Sequence, residues 1–238
     1  IDRVNEGNPT PQIGQIEATN PCGEQPLLDY EACNLGSLNI AKFVLEDGSD
    51  LDWDRLAKAA GYAVRFLDDV IDVNHWPIPQ IKEISLANRK IGLGIMGFAD
   101  ALVLLGIRYD SEAAVSFAGR LSDFLQKRAH NASEKLTEVR GCFANYQGSI
   151  WDTCQHRAMR NAACTTIAPT GSISIIAKCS SGIEPLYRLA YVRRALDGQE
   201  FVEVHPLLEK LGEKYRWMGD TVRKRVLAGH DPKDIREI

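Results

Sequence analysis

The chain has 238 residues, 45% hydrophobic and 25% charged, with a formal net charge of −4. That composition is that of a folded globular domain and excludes a disordered tail, a fibrous repeat or a low-complexity linker. The mild negative charge excludes a polyanion-binding field, so no nucleic acid polymer is an expected partner and any nucleotide ligand is small and gripped locally.

Residues 1–19 are polar with Pro9 and Pro11, and alternation begins over Ile13–Ala18, which predicts a loop and then a short strand. Asn20-Pro21-Cys22-Gly23-Glu24 is a turn-rich loop. A second strand is expected over Cys33–Ile40, followed by a turn at Glu46–Asp50. From Leu51 the period becomes helical, with Leu56, Ala60, Ala63, Leu67, Val70 and Ile71 on one stripe and Asp52 or Ser49 as cap. Ile81–Asn88 reads as a short helix and Lys90–Ile95 as a glycine-punctuated strand. Met96–Gly106 reads as a helix stopped by Gly106 in a left-handed cap. Ser111–Arg140 is the longest helix, with Ser111 as N-cap and Gly141 past its end. Another helix is expected over Thr153–Asn161, and a β-rich run over Ala163–Ala168 stops at Pro169. A short helix follows over Gly171–Lys178, then two strands within 186–204 around an Asp197-Gly198 turn, then a charged helical tail from His205. The alternation argues an α/β fold and one domain over 1–238.

No apolar run reaches the roughly 18 residues of a membrane span. Ile1-Asp2-Arg3-Val4-Asn5 carries no secretory signal, and six cysteines fall short of a disulfide scaffold. A reducing cytoplasm with free thiols is the expectation, and no membrane partner.

Chemistry concentrates in three places. Asn20-Pro21-Cys22-Gly23-Glu24 sets a thiol, a carboxylate and an amide on one tight loop. Cysteine serves as a sulfur nucleophile or, with an initiator, as a thiyl radical, glutamate as a base and asparagine as both donor and acceptor. A polar turn around a structural thiol is the plain alternative. Cys33 heads the next strand, eleven positions on, a spacing that fits no zinc knuckle. Cys142, Cys154, Cys164 and Cys179 are isolated from one another and read as small hydrophobes, so no metal site is expected. Ala168-Pro169-Thr170-Gly171-Ser172-Ile173-Ser174 ends a strand and opens a helix with three hydroxyls around a glycine turn, a candidate phosphate site or a simple N-cap. The five histidines share no motif.

Taken in order, Asn20-Pro21-Cys22-Gly23-Glu24, Glu31-Ala32-Cys33-Asn34-Leu35-Gly36-Ser37-Leu38-Asn39, Arg89 to Asp100, Ala168 to Ser174 and Ser180-Ser181-Gly182-Ile183-Glu184-Pro185 resemble the catalytic subunit of ribonucleotide reductase over roughly residues 12–205. The Asn-Pro-Cys-Gly-Glu form is most similar to the adenosylcobalamin-dependent class II enzymes, with class I the nearest relative. The resemblance implies part, the C-terminal half, of a ten-stranded α/β barrel threaded by a finger loop at 20–24, with a phosphate turn at 168–174 and a helical tail at 205–238. It implies that Cys22 becomes the thiyl radical that removes the ribose 3′ hydrogen. Glu24 takes the 3′-hydroxyl proton, Asn20 bonds the ribose hydroxyls, and Cys33 is one of two cysteines that supply electrons. Pro21 and Ala32, with Pro169, Thr170, Gly171, Ser172, Ile173 and Ser174, are the expected substrate-binding residues.

The substrate implied is a ribonucleoside di- or triphosphate, with adenosylcobalamin as radical source and a thioredoxin-like external dithiol as reductant. No second redox cysteine precedes the finger loop in this sequence and no cysteine follows Cys179. The resemblance therefore implies an N-terminal half or companion chain that completes the barrel, and little activity from these residues alone. A catalytically silent assembly module is the alternative reading, and a glycyl-radical enzyme a third, disfavoured because no glycine-radical loop stands near the C-terminus.

Overall fold

The structure is a computed structural model that describes residues 2–186, 190–194, 198–214, 216 and 219–228. In chain order it forms α1 (Asp2–Asn5), β1 (Ala18–Thr19), β2 (Pro26–Leu27), β3 (Asn34–Asn39), a 3-10 turn (Ile40–Phe43), α2 (Trp53–Val73), α3 (Pro79–Asn88), β4 (Ile91–Met96), α4 (Phe98–Leu104), α5 (Glu112–Arg140), α6 (Ile150–Thr153), α7 (Gly171–Ala177), β5 (Ala190–Arg194), β6 (Glu200–Val204), α8 (Pro206–Lys214) and α9 (Asp220–Leu227).

The centre is a parallel pair. β3 and β4 run side by side from Asn34↔Ile91 to Asn39↔Met96. Parallel strands need a long crossover, and here it is α2 and α3. Every residue of β4 is buried, as a strand covered on both faces must be. α2 lies across one face with Leu56, Ala60, Val64, Leu67 and Ile71 inward. Val64 takes the central place in that stripe, and Ala63 and Val70 sit at its margin. The Asp52 side chain accepts from the Arg55 amide at 3.0 Å and caps the helix. α5 packs on α2 through Phe117, Leu121, Leu125 and Ala129. Its N-cap is Ser111, which accepts from the Ala114 amide at 3.2 Å, and Gly141 follows its end at φ +72°. Gly106 closes α4 at φ +69°.

The structure corrects three expected elements. Over Ile13–Ala18 no strand forms before Ala18. The Asn5 side chain takes both backbone groups of Ile16, donating to its carbonyl at 2.9 Å and accepting from its amide at 2.7 Å. The helix expected over Thr153–Asn161 is only α6, which ends as it was expected to begin. His156 adopts φ +50°, and the Arg160 and Asn161 side chains are drawn into the core. The β-run over Ala163–Ala168 meets β4 through one parallel bridge, Leu93↔Thr165. Around that bridge the Ala163 and Cys164 carbonyls accept from the Ile91 and Leu93 amides and the Thr166 amide donates to the Leu93 carbonyl, so the run lies along β4 without extending into a full strand. The predicted hairpin is present as β5 and β6, antiparallel from Ala190↔Val204 to Arg194↔Glu200. Asp197 of its turn and the tail beyond residue 228 lie outside the described residues. α8 and α9 share a small core of Leu208, Val222 and Val226.

A buried carboxylate fastens these pieces. Asp68 on α2 is fully buried and accepts from Arg89 Nε at 2.8 Å, Arg140 at 2.9 Å, Arg160 at 3.3 Å and Asn161 at 3.0 Å. Arg89 sits at φ +49° at the end of α3, and its guanidinium also forks onto Asp72. One side chain thus joins α2, the entry to β4, the end of α5 and the loop before residue 162.

Candidate active site

The strand β3 alternates faces. Asn34 turns toward α2, donating to the Leu67 carbonyl at 2.9 Å, and Gly36 stands against the Leu67 side chain. Cys33, Leu35 and Ser37 therefore take the opposite face. On β4 that face is made by Gly92 and Gly94, and both are glycine because other chain lies directly on them. A Cβ at Gly92 would come within 2.4 Å of Leu35 and 2.8 Å of Gln25, and one at Gly94 within 2.8 Å of the Thr166 carbonyl.

What rests there is the loop 20–24. The antiparallel pair β1 and β2 forms its neck. Asn20 closes it: its amide donates to the Gln25 carbonyl at 3.2 Å, and its Oδ1 accepts from the Gln25 amide at 3.0 Å. Gly23 makes the reversal at φ +82° and donates to the Asn20 carbonyl at 3.0 Å. Buried Gln25 packs on Gly92, and the Glu24 carbonyl accepts from the Thr166 hydroxyl at 2.7 Å. The loop is thus pinned to the sheet at its base, with Pro21, Cys22 and Gly23 exposed at its tip. Glu24 is half-buried, and its Oε2 is buried with no hydrogen-bond partner among the described residues.

Cys33 is half-buried beneath this loop. Burial pushes its thiol pKa well up, Lys90 pulls it down, and Glu31, Cys164 and Glu24 add to the rise. Glu24 and Cys33 therefore belong to one electrostatic neighbourhood. Beside them is a pair that motif reading did not single out, the buried ion pair of Glu31 and Lys90 at 2.6 Å. Glu31 also accepts from Asn88 at 2.7 Å and from the Leu28 amide at 2.9 Å. Glu31 does stand within the sequence run that includes Cys33, which is the signal that could have found it. Ala32 is half-buried, its amide donating to the Ser85 hydroxyl at 3.2 Å.

The turn at 168–174 lies at the far end of the sheet. Thr170 adopts φ +55°, and its hydroxyl accepts from the Gly182 amide at 2.7 Å. The Ser174 hydroxyl is within 2.9 Å of Ser181 and donates to the Gly171 carbonyl at 3.3 Å. Both residues are buried, whereas Pro169, Gly171, Ser172 and Ile173 are exposed. Of the three hydroxyls expected to face a ligand, Ser172 is the one that faces outward. The Ser180–Gly182 loop holds the turn in place. The Ser180 amide donates to Asp100 Oδ2 at 3.0 Å, and its carbonyl accepts from the Gly97 amide at 2.8 Å at the end of β4. Among the described residues no group of His, Cys, Asp or Glu is placed to hold a metal ion.

A cysteine-tipped loop is laid on one face of a parallel two-stranded α/β sheet, with a second cysteine on the same face. The chain belongs to the ribonucleotide reductase family, whose barrel-domain profile matches residues 1–238. It is 52% identical over 219 residues to the vitamin B12-dependent ribonucleoside-diphosphate reductase of Thermoplasma acidophilum, covering 92% of this chain and 28% of that protein. The protein of the same name from Mycobacterium tuberculosis is 52% identical over 211 residues, 89% of this chain and 30% of its own length. The ribonucleoside-diphosphate reductase subunit alpha of Chlamydia muridarum is 34% identical over 247 residues, 87% of this chain and 23% of its own. The chain thus spans less than a third of the length of these relatives.

Proposed function

We propose that these residues carry the radical loop and one redox thiol of a ribonucleotide reductase that converts ribonucleoside di- or triphosphates to deoxyribonucleotides. The observation that carries the reading is the placement of Glu24. Its carboxylate oxygen is buried and unpartnered, two residues from an exposed Cys22 and in the same neighbourhood as Cys33. A buried acceptor without a donor is costly in a merely structural loop and useful for a proton that arrives with substrate.

The roles are those that the resemblance implies, and the geometry supports them. Cys22, as a thiyl radical, removes the 3′ hydrogen of the ribose, because an S–H bond is weak enough to exchange hydrogen with carbon. Glu24 accepts the 3′-hydroxyl proton. Asn20 uses its Oδ1 to close the loop, which leaves its side-chain N–H groups for a ribose hydroxyl. Cys33 supplies an electron and ends in a disulfide with a cysteine elsewhere in the complete enzyme, which a thioredoxin-like dithiol reduces. The exposed start of α7, with Gly171, Ser172 and Ile173, holds substrate phosphate, and Pro21 and Ala32 border the ribose. Support for adenosylcobalamin comes from the names of the most similar relatives and from the exposed face of Pro21, Cys22 and Gly23, which is open to a group of that size. When bound, that group supplies the radical. A cytoplasmic setting agrees with six free cysteines, and no described helix is long and apolar enough to cross a membrane.

The test is Cys22→Ser in the complete enzyme. The hydroxyl fills nearly the same space, but its O–H bond is too strong to exchange with the ribose. Deoxynucleotide formation should vanish while nucleotide binding stays within about twofold of wild type, a change worth about 0.4 kcal/mol. A serine enzyme that still turned over would remove Cys22 from the mechanism.

A further inference from the structure

Cys33 stands one position before β3 and Lys90 one position before β4, so the parallel register sets them side by side. Both line a cavity of about 70 Å³, which Ile71, Trp76 and Ser85 also border. Lys90 is 2% exposed. Its ammonium donates to Glu31 at 2.6 Å and to the Pro26 carbonyl at 3.3 Å. A lysine has three N–H donors, so one is left beyond these two bonds. Asn34, whose Oδ1 is buried without a donor among the described residues, borders the same cavity.

A buried ion pair is a poor way to gain stability, since desolvation cancels most of the attraction. This pair has a second consequence. It fastens the exit of the finger loop, at Pro26, to the segment that leads into Cys33, at Glu31. It also sets a positive charge beside a sulfur that otherwise faces burial and the charges of Glu31 and Glu24.

We propose that Lys90 is a positioning residue for Cys33, stabilising the sulfur anion that Cys33 becomes whenever it enters or leaves a disulfide. The inference rests on the reading of Cys33 as a reducing thiol and adds the group that makes it reactive. When an external dithiol reduces a disulfide containing Cys33, one of its sulfurs attacks the partner cysteine's sulfur and the S–S bond breaks with its electron pair going to Cys33. The dithiol closes to its own disulfide, losing two electrons and two protons, and the cysteines gain both. Lys90 stands beside Cys33 in the register in the interval before the sulfur takes its proton, and the cavity that both line has room for water to deliver it.

The test uses the complete enzyme and methyl methanethiosulfonate. A thiolate attacks this reagent's sulfenyl sulfur, methanesulfinate leaves with the electron pair, a methyl disulfide remains, and the thiol proton goes to buffer. Rates at Cys33 against pH are read by peptide mass spectrometry, with Cys22 in the same sample as control. Lys90→Met should slow Cys33 about three- to tenfold at pH 8, equivalent to about half to one pKa unit. Cys22 should not change, and Lys90→Arg should restore most of the rate. Because Lys90→Met strands the Glu31 charge, the double variant Lys90→Met/Glu31→Gln removes both, with circular dichroism to verify the fold. It should slow Cys33 in the same direction by a smaller factor. An unchanged Cys33 rate in the folded double variant would overturn the proposal, as would an equal change at Cys22 and Cys33. These rates are independent of reductase turnover. A Cys33 that stayed a free thiol after turnover in the complete enzyme would sink the reductase role and leave the Lys90 effect standing.

Discussion

Ser172 and Ser174 look interchangeable in the sequence, two serines on one glycine turn, yet the structure gives them different work. The Ser174 hydroxyl is buried and bonded to Gly171 and Ser181, whereas Ser172 is exposed at the helix start. Ser174→Ala should therefore cost about 1 kcal/mol of stability, with phosphate binding following only as the turn loosens. Ser172→Ala should leave stability within about 0.5 kcal/mol and weaken nucleoside diphosphate binding about tenfold, the loss of one charge-assisted bond of about 1.5 kcal/mol. Urea unfolding and calorimetric titration of the complete enzyme separate the two. Equal effects from both variants would contradict the assignment. The same contrast explains how much of the site was legible. Cys22, Glu24 and Cys33 announce themselves as reactive types in short motifs. Lys90 and Glu31 are 59 residues apart, and charged residues are ordinarily read as solvated. Nothing local says that these two pair in the interior.

At the scale of elements, stability centres on Asp68. Burial alone would raise its carboxyl pKa, but the hydrogen bonds and charges of Arg89, Arg140 and Arg160 hold it below the usual carboxylate range. A carboxyl with a lower pKa in the folded state binds fewer protons there than in the unfolded chain. Its contribution is present above the unfolded value near pH 4 and is lost as pH falls through the folded value. Asp68→Asn should cost about 3–5 kcal/mol, because it leaves buried guanidinium charge without its carboxylate. It should also flatten the acid limb of the stability curve. Denaturant unfolding between pH 2 and pH 7 checks both, and an unchanged acid slope would rule Asp68 out as its source. The elements that sequence patterning recovered, α2, α5, β3 and β4, are those whose caps and periods are local. The helix expected over 153–161 and the strands expected over 13–18 and 163–168 failed for one kind of reason. Distant groups claim their backbone or side chains: the Asn5 side chain takes Ile16, Asp68 takes Arg160 and Asn161, and the Glu24 carbonyl takes the Thr166 hydroxyl, while the 163–166 backbone stays bonded to β4.

For the whole molecule, the described sheet is open. β3 pairs with β4 on one side, and no described strand pairs with its other edge. A strand edge without a partner recruits another strand, and the relatives, about three times this length, carry further chain that this sequence does not cover. The glycine face of β4 and the Thr166 hydroxyl fix the base of the loop at residues 20–24 against the sheet. The proposed mechanism gives two cysteines different fates in one reaction: Cys22 would cycle through a radical and return to a thiol, while Cys33 would be oxidised. The most direct measurement is a thiol map of the complete enzyme after a single turnover without external reductant, by differential alkylation and peptide mass spectrometry. The account predicts Cys33 in a disulfide and Cys22 as a free thiol. Cys22 in a disulfide, or Cys33 still free after product has formed, would contradict it.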